Sequence, residues 1–311
     1  MVCMMLFAML GCQPVTRFSI LEDKAGVLVS EGNKPVLFYQ TGKQLCGEGC
    51  VLNNFIHPLY GPSGDTLTEK FPADHPHHRG IFWAWHQVLI EDQPMGDPWL
   101  GQDFTWDIQE VTQDRDRDYA RIGVVNYWKS PHWKDVEGHM QAMAQEEVEV
   151  IIYPQKNRTR VLDVKIHITS LVDELRIGGS DDIKGYGGFS TRLELPEDVW
   201  FRGPAGILHP TKQMVEAGGW VYLGGTYGDN EQKGVLLMAH PDNPGDPRQW
   251  ILRKEKSMQN AVYPGRNTIT LHKGDSFCMK YRMVLHEGVP DQISPTDLYR
   301  EYQSNEELNP L

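Results

Sequence analysis

The sequence lacks the features of several large classes of protein. It has no run of about 20 apolar residues, the length that a membrane-spanning helix needs. Basic residues are in the minority, because 30 Lys and Arg stand against 42 Asp and Glu and give a formal net charge of −12. A chain with this charge and no basic patch repels phosphate backbones, so we expect no nucleic-acid partner. Hydrophobic residues make up 40% of the chain, which supplies a sizeable core and excludes disorder as the main state.

Motifs of well-known enzyme sites are missing as well. The chain has no Gly-rich phosphate loop, no dinucleotide-binding fingerprint, no Gly-x-Ser-x-Gly elbow and no His-Glu-x-x-His helix. A carboxylate pair for glycoside hydrolysis cannot be assigned. Glu146, Glu147 and Glu149 lie on one predicted strand, and a solvated face explains them most simply.

Cysteine is scarce, with five in the chain. Residues 1–12 form an apolar run that ends in Met9-Leu10-Gly11-Cys12 and resembles the end of a bacterial lipoprotein signal peptide. This predicts a membrane anchor through a lipid on Cys12, one mature domain over residues 13–311, and a periplasmic or outer-membrane-anchored location. The alternative is an apolar tail on a cytoplasmic protein, because the first charged residue is Arg17 and no positive segment precedes the run.

Cys46 and Cys50 flank Gly-Glu-Gly, and Cys278 stands alone. The close pair predicts either a small disulfide in an oxidising compartment or two free thiols. A single Cys-x3-Cys pair is only a weak indication of zinc, because structural zinc sites need further ligands.

Alternating apolar and polar residues predict strands along most of the chain, separated by Gly, Pro, Asn and Asp. The predicted strands cover residues 19–22, 27–30, 35–40, 104–111, 120–128, 147–153, 160–169, 220–224, 234–240, 268–272 and 277–286. Near the C-terminus, Ser294 as an N-cap and Pro295 at the first helical position predict a helix over 295–303. We therefore predict an all-β fold, one large antiparallel β-sandwich with a short C-terminal helix.

One segment concentrates the ionisable residues. It reads Phe71-Pro72-Ala73-Asp74-His75-Pro76-His77-His78-Arg79-Gly80, and the aromatic strand Ile81-Phe82-Trp83-Ala84-Trp85-His86 follows. Three histidines and an arginine within five positions are costly to bury, and histidine moves protons near neutral pH. Two alternatives to catalysis or substrate binding stay open. His75 and His77 are candidate ligands of a divalent metal, or the segment is a hydrogen-bonded corner of the fold without chemistry.

The block from His57 to Trp85 resembles the bacterial family labelled methane-oxygenase PmoA-like, a domain of unknown function. Three further stretches carry the resemblance: Asp182-Ile183-Lys184 with Gly187-Gly188-Phe189-Ser190-Thr191-Arg192, Met238-Ala239-His240-Pro241-Asp242-Asn243-Pro244, and His286-Glu287-Gly288. Together they cover about residues 17–290. The family more often carries Leu-Gly-Ile-Arg where this chain has Phe-Ser-Thr-Arg, so the role of Arg192 stays open.

The resemblance implies a galactose-mutarotase-like fold, an antiparallel sandwich with a sugar-binding cleft across one concave sheet. Relatives of that fold include epimerases, hydrolases and polysaccharide-lyase modules, and members of the family are often found in gene neighbourhoods for glycan degradation. Fold analogy does not establish a reaction. With the acidic, Trp-rich composition it predicts an oligosaccharide substrate.

A sugar-active site needs a base, an acid and a group that holds charge. The candidates for proton transfer are His75, His77, His78, Lys184 and His240. The candidates for substrate binding are Arg79, Arg192, Tyr60, His86, Trp85 and Trp250, with the two arginines as clamps for a carboxylate. In an extended segment His75 and His77 share a side and His78 faces away, but a turn at Pro76 changes this, so the choice between His77 and His78 stays open.

We therefore expect an exported carbon–oxygen lyase, a dehydratase or oligosaccharide lyase that acts on acidic or unsaturated sugars by acid–base elimination without a cofactor. One alternative is a glycoside hydrolase or sugar epimerase in the same cleft, which predicts that a carboxylate faces the key histidine. The other is a sugar-binding lipoprotein without catalysis.

Overall fold

The computed structural model describes residues 17–227, 231–255 and 258–304. The apolar run with Cys12 lies outside the described residues, so the lipid anchor stays a prediction. Within the described part of the chain, no helix has the length and apolar character needed to cross a membrane.

Short antiparallel strands account for most of the described chain. The first strands are β1 (Phe18–Glu22), β2 (Gly26–Glu31), β3 (Lys34–Gln40), β4 (Gln44–Gly47), β5 (Cys50–Leu52), β6 (Phe55–Leu59), β7 (Ile81–Trp85), β8 (Gln87–Ile90) and β9 (Gln93–Pro94). The next are β10 (Thr105–Arg115), β11 (Ala120–Lys134), β12 (Met140–Ile152), β13 (Thr159–Ser170), β14 (Leu175–Gly178), β15 (Gly187–Thr191), β16 (Trp200–Gly203), β17 (Gly206–Leu208) and β18 (Val215–Glu216). The last are β19 (Trp220–Tyr227), β20 (Glu231–Ala239), β21 (Gln249–Ile251), β22 (Gln259–Val262), β23 (Ile269–Leu271) and β24 (Ser276–Glu287), followed by a 3₁₀ turn (Pro290–Gln292) and the helix α1 (Pro295–Ser304).

The strands form two nine-stranded sheets. The first sheet has the order β1-β2-β3-β6-β7-β15-β22-β21-β18, and the second has the order β10-β11-β12-β13-β24-β20-β19-β16-β17. A four-stranded sheet (β23-β14-β8-β9) and the hairpin β4-β5 complete the structure. A disulfide between Cys46 and Cys50 closes this hairpin, which decides between the two alternatives that the sequence left open.

The two large sheets pack face to face, and aromatic rings meet between them. Phe189 of the first sheet stacks on Tyr281 of the second with ring centroids 4.2 Å apart, and Trp85 meets Trp128 at 5.5 Å. The sandwich forms because alternation along each strand gives one apolar face, which must be removed from water. The predicted all-β antiparallel sandwich is confirmed.

The short C-terminal helix is confirmed too. Ser294 caps the first turn as predicted, since its Oγ accepts a hydrogen bond from the backbone N–H of Asp297 at 3.4 Å. The helix buries Tyr302 against the outer face of the second sheet, beside Trp220, Tyr222 and Met238.

Glu146, on β12, departs from the prediction of a solvated face. Its carboxylate is fully buried between the sheets and accepts four hydrogen bonds from uncharged donors. The donors are Asn54 Nδ2 at 2.6 Å, Trp83 Nε1 at 2.8 Å, Asn126 Nδ2 at 3.1 Å and Trp128 Nε1 at 2.7 Å. Burial raises the pKa of Glu146, and these donors act in the opposite direction by stabilising the carboxylate. The group therefore ties the strands of both sheets together from within the core.

We expect Glu146→Gln to lower the free energy of unfolding by about 2 to 4 kcal/mol, because an amide has one accepting oxygen and turns its own N–H groups towards donors. The matched control is Glu147→Gln on the same strand, whose side chain is exposed and whose replacement we expect to change little. Urea unfolding of both variants and the parent measures the difference. Equal stabilities of the two variants would contradict the role given to Glu146.

Candidate functional site

The histidine loop, residues 72–80, is the last part of the connection from β6 to β7 and contains two consecutive tight turns. His75 N donates to Pro72 O at 3.0 Å, and His78 N donates to His75 O at 2.9 Å. These turns fold the three histidines together, so the alternation of an extended segment does not apply. The His75 and His78 rings stack with centroids 4.5 Å apart, and His77 stands edge-on to His78 at 4.7 Å.

His75 lies beside a carboxylate from its own loop. Its Nδ1 is 3.1 Å from Asp74 Oδ2, although the two groups are not aligned as a hydrogen bond. The side chains of His75 and Asp74 are 39% and 35% exposed, so the pair faces open solvent. The neighbouring aspartate was not among the candidates from the sequence, although it immediately precedes the histidine.

His86 forms a second imidazole–carboxylate pair. Its Nδ1 lies 2.8 Å from Asp97 Oδ2, and because an ionised carboxylate only accepts, Nδ1 carries the hydrogen and Nε2 is left free. The imidazole also stacks on Trp99 with centroids 5.1 Å apart. Asp97 and Trp99 lie in the segment 94–103, and no sequence pattern links them to His86.

His77 is close enough to both pairs for their charges to act on it. Burial lowers the pKa of His77 to about 4, and the nearby charges of Arg79, His75 and His86 add to the effect while Asp97 opposes it. His77 is therefore neutral near pH 7, and it is able both to donate and to accept a hydrogen bond.

His78 and Arg192 are bound to each other and are not free for substrate. Arg192 Nη1 donates to His78 Nδ1 at 3.2 Å, its Nε donates to Glu69 at 2.7 Å, and its Nη2 lies 3.7 Å from Asp74. Burial lowers the pKa of His78 to about 2, with His77, His75 and Arg192 contributing. His78 is thus neutral, with Nδ1 occupied, and Arg192 is already neutralised by two carboxylates.

Arg79 and the two candidate tryptophans are buried. The guanidinium of Arg79 contacts backbone carbonyls and no part of this residue is open to solvent. Trp85 Nε1 donates to Tyr263 O, and Trp250 Nε1 donates to Gly218 O, so both indoles are hydrogen-bonded parts of the core. A sugar cannot stack on these two rings in this structure.

The remaining three candidates lie outside the histidine loop. Lys184 borders the His86 pair, because its Nζ lies 5.7 Å from the Tyr186 ring, which meets Trp99 at 5.6 Å. His240 lies on the second sheet, where it packs edge-on against Tyr302 of α1 at 5.1 Å. Tyr60 follows β6 and forms a backbone bridge with Thr66.

An open cleft of about 1040 Å³ lies beside the histidine loop. Its lining residues are Glu69, Pro72, Ala73, Asp74, Arg192, Leu193, Glu194, Leu195, Pro196, Glu197, Lys254 and Glu255. Burial and the neighbouring charges of Glu69 and Asp65 raise the pKa of Glu194. Carboxylates therefore dominate the cleft, and their oxygens accept hydrogen bonds from hydroxyl groups while repelling anions.

The alternative of a metal site at His75 and His77 lacks a third converging ligand among the described residues. Among the described residues, Asp135, Glu137 and His139 do bring three ligand atoms within 4.8 Å of one another, on an exposed hairpin. Exposed acidic groups of this kind are common without a metal, and the histidine loop is not part of it.

We expect the free energy of unfolding to fall as the pH drops from about 6.5 to 4. Burial lowers the pKa of His57 to about 4, with Lys70 adding to the effect, and His77 and His78 are lowered as described. In this window the unfolded chain binds protons that the native protein does not, at up to about 1.4 kcal/mol per pH unit for each histidine. Raised pKa values of Glu146 and Glu194 reduce this slope.

Urea unfolding at a series of pH values measures the dependence. His78→Gln should flatten the slope, whereas His139→Gln, an exposed histidine on the β11–β12 hairpin, should leave it unchanged. A stability that does not change between pH 7 and 5 would contradict the burial of these rings in neutral form.

Comparisons with solved structures give distant likenesses. A galactose mutarotase related enzyme from Lactobacillus acidophilus is 12% identical, with a TM-score of 0.42 over 88% of this chain and 98% of that chain. A candidate kojibiose phosphorylase from the human microbiome is 10% identical, with a TM-score of 0.34 over 91% of this chain and 32% of that chain. No curated protein matches the chain. Likeness at this level does not identify an activity.

The family expected from the sequence was wrong. Nothing in the comparisons points to a methane-oxygenase PmoA-like family, although the all-β architecture that the resemblance implied agrees with the structure. The family model that does match covers residues 26–299, which includes the histidine loop and both imidazole–carboxylate pairs. The chain belongs to DUF6807, a family of unknown function.

Proposed function

We propose that the protein is a carbohydrate-active enzyme that interconverts sugars by proton transfer at the anomeric centre, an isomerase or epimerase. The observation that carries the proposal is the presence of two imidazole–carboxylate pairs, His75 with Asp74 and His86 with Asp97, both near the neutral His77. A reaction that removes a proton at one atom and adds one at another needs two such groups.

The proposed reaction opens and recloses a sugar ring. His86 Nε2 takes the proton of the anomeric hydroxyl, and Asp97 stabilises the imidazolium that forms. The C1–O bond to the ring oxygen breaks as C1=O forms, and His75 gives its proton to the ring oxygen. Rotation about C1–C2 and the reverse transfers then produce the other anomer, so atoms and protons balance without a co-reactant.

The cleft supports a neutral substrate. Its carboxylates accept hydrogen bonds from sugar hydroxyls, and they repel the carboxylate of an acidic sugar. Tyr186, which is half-buried, packs against the buried Trp99 on which the His86 ring stacks, and adds aromatic surface on that side.

Elimination on an acidic sugar is the weaker proposal. That reaction needs a cation to hold the substrate carboxylate and stabilise the carbanion. The two arginines expected to do this are committed, Arg192 to Glu69 and His78, and Arg79 to backbone carbonyls.

Hydrolysis of a glycoside is a second candidate, favoured by one observation. Glu194 and Glu69 line the cleft together, and hydrolysis requires two carboxyl groups, one as the acid and the other as the base or nucleophile. Burial raises the pKa of Glu194, which suits the acid.

We expect His75→Gln and His86→Gln to lower kcat by about 100- to 10,000-fold, because each removes one proton-transfer group. The assay uses a panel of neutral and acidic aldoses and oligosaccharides. Exchange NMR reads anomer interconversion, and mass spectrometry reads addition or loss of water. His132→Gln, at an exposed site on the second sheet, is the control and should keep the parent rate.

Each outcome of the panel assigns a reaction. Conversion without a change of mass supports the proposal, whereas a gain of water indicates a hydrolase and a loss of water a dehydratase. Cleavage without added water indicates a lyase. A chelator should leave the activity unchanged. Loss of activity in the presence of the chelator would instead support a metal at His75 and His77. Activity that survives both histidine substitutions would overturn the proposed site.

We also propose that Cys12 carries a lipid that anchors the protein in the periplasm or outer membrane. The disulfide between Cys46 and Cys50 supports an oxidising compartment. Expressed in a bacterial host, the parent should fractionate with membranes, and Cys12→Ser should release it into the soluble fraction. An unchanged distribution of the variant would argue against the anchor.

A further inference from the structure

Arg79 is a fully buried cation in the histidine loop that binds backbone oxygens. Its Nη1 donates to His77 O at 3.0 Å and to Trp99 O at 3.3 Å, and its Nη2 donates to Pro98 O at 3.3 Å. Asp97 and Glu146 favour its charge through space, against the burial that lowers the pKa of Arg79 to about 9. The group is therefore protonated at neutral pH.

The three carbonyls belong to two separate pieces of chain. His77 lies in the histidine loop, which carries Asp74 and His75. Pro98 and Trp99 lie in the segment 94–103, which carries Asp97, the partner of His86. One planar group thus connects the backbone beside the first imidazole–carboxylate pair to the backbone beside the second.

Aromatic rings fix the plane of this group. The guanidinium carbon lies 4.4 Å from the centroid of the Phe82 ring and 5.4 Å from that of Trp106. Stacking of this kind suits a flat, delocalised cation and does not suit the compact ammonium of lysine. The orientation of the donors, and with it the separation of the two backbone segments, is therefore set by core packing.

We propose that Arg79 is a positioning residue that holds the His75–Asp74 and His86–Asp97 pairs at the separation the reaction needs. The effect of Arg79 on catalysis rests on the proposed function. Its effect on the position of the two backbone segments rests on the geometry alone. Arg79 does not bind the substrate in this view, in contrast to the role expected from the sequence.

The variants Arg79→Lys and Arg79→Met separate charge from geometry. Lysine keeps the positive charge but cannot reach three carbonyls in one plane, whereas methionine removes both. Arg121→Lys is the control, because Arg121 is half-exposed on the second sheet and pairs with Glu149 at 3.4 Å. Substitution of a buried, hydrogen-bonded cation is destabilising, so thermal melting of each variant comes first.

Histidine NMR gives the readout that does not need a substrate. We expect the ring signals of His75 and His86 to shift together in both Arg79 variants, because both pairs lose their common support. The pKa of His77 should rise more in Arg79→Met than in Arg79→Lys, since only methionine removes the charge, while burial, the larger cause of the lowered pKa, remains in both variants. Signals that move at His77 alone would overturn the proposal.

Kinetics give the second readout once the sugar panel has identified a substrate. A displacement of about 1 Å at the reacting groups costs about 100-fold, so kcat should fall by that order in Arg79→Lys with KM nearly unchanged. A rise in KM at constant kcat would show instead that Arg79 binds the substrate, and would overturn the proposal.

A measurement on the parent protein remains if neither variant folds. The guanidinium hydrogens of Arg79 should exchange slowly with solvent, because the group is buried and hydrogen-bonded to three carbonyls. Rapid exchange would overturn the positioning role. Failure of every sugar to react would count against the proposed function but would leave the NMR outcomes to decide on Arg79.

Discussion

The arrangement of the site depends on the hydrogen bonds that the buried carboxylate of Glu146 accepts. A buried carboxylate is tolerated only when hydrogen bonds replace the lost water, and here four donors do so, with the charge of Arg79 acting on it through space. Two of these donors lie on either side of the connection 60–80, which contains the histidine loop, since Asn54 immediately precedes β6 and Trp83 lies on β7. The two strands that this connection joins are therefore held to one point in the core.

From that anchor the site extends outward in steps of decreasing burial. Arg79 sits next to the core and binds the backbone of two segments, and His78 with Arg192 forms a layer that is almost as deeply buried. His77 is half-buried, and the His75 and His86 pairs reach solvent. The inner charges hold the outer groups in place, and the outer groups are the ones available for chemistry. The same order explains why the arginines are poor candidates for binding an anion.

The sequence predicted the strands and the helix because their signals are local. Alternation along β11, β13 and β24, and the Ser294 cap with Pro295, depend only on neighbouring residues. Alternation along β12 also places Glu146 on the inward face with Val148 and Val150. The prediction of a solvated face was wrong for Glu146 because this alternation was not applied to it. The pairing of His86 with Asp97, and of Arg192 with Glu69 and His78, depends on loops that meet only in the folded chain. No spacing in the sequence encodes those contacts, so the histidine cluster was found but its partners were not.

The position of β24 has a consequence for how the protein is made. This strand is the last strand of the described residues and also the middle strand of the second sheet, where it pairs with β13 on one side and β20 on the other. Until it arrives, the two halves of that sheet have no common partner, and the sandwich cannot close over its apolar faces. Pairings of such long sequence separation are slow to form and leave strand edges exposed in the meantime. The second sheet therefore stays accessible to chaperones and to misassembly until β24 has been synthesised and has paired.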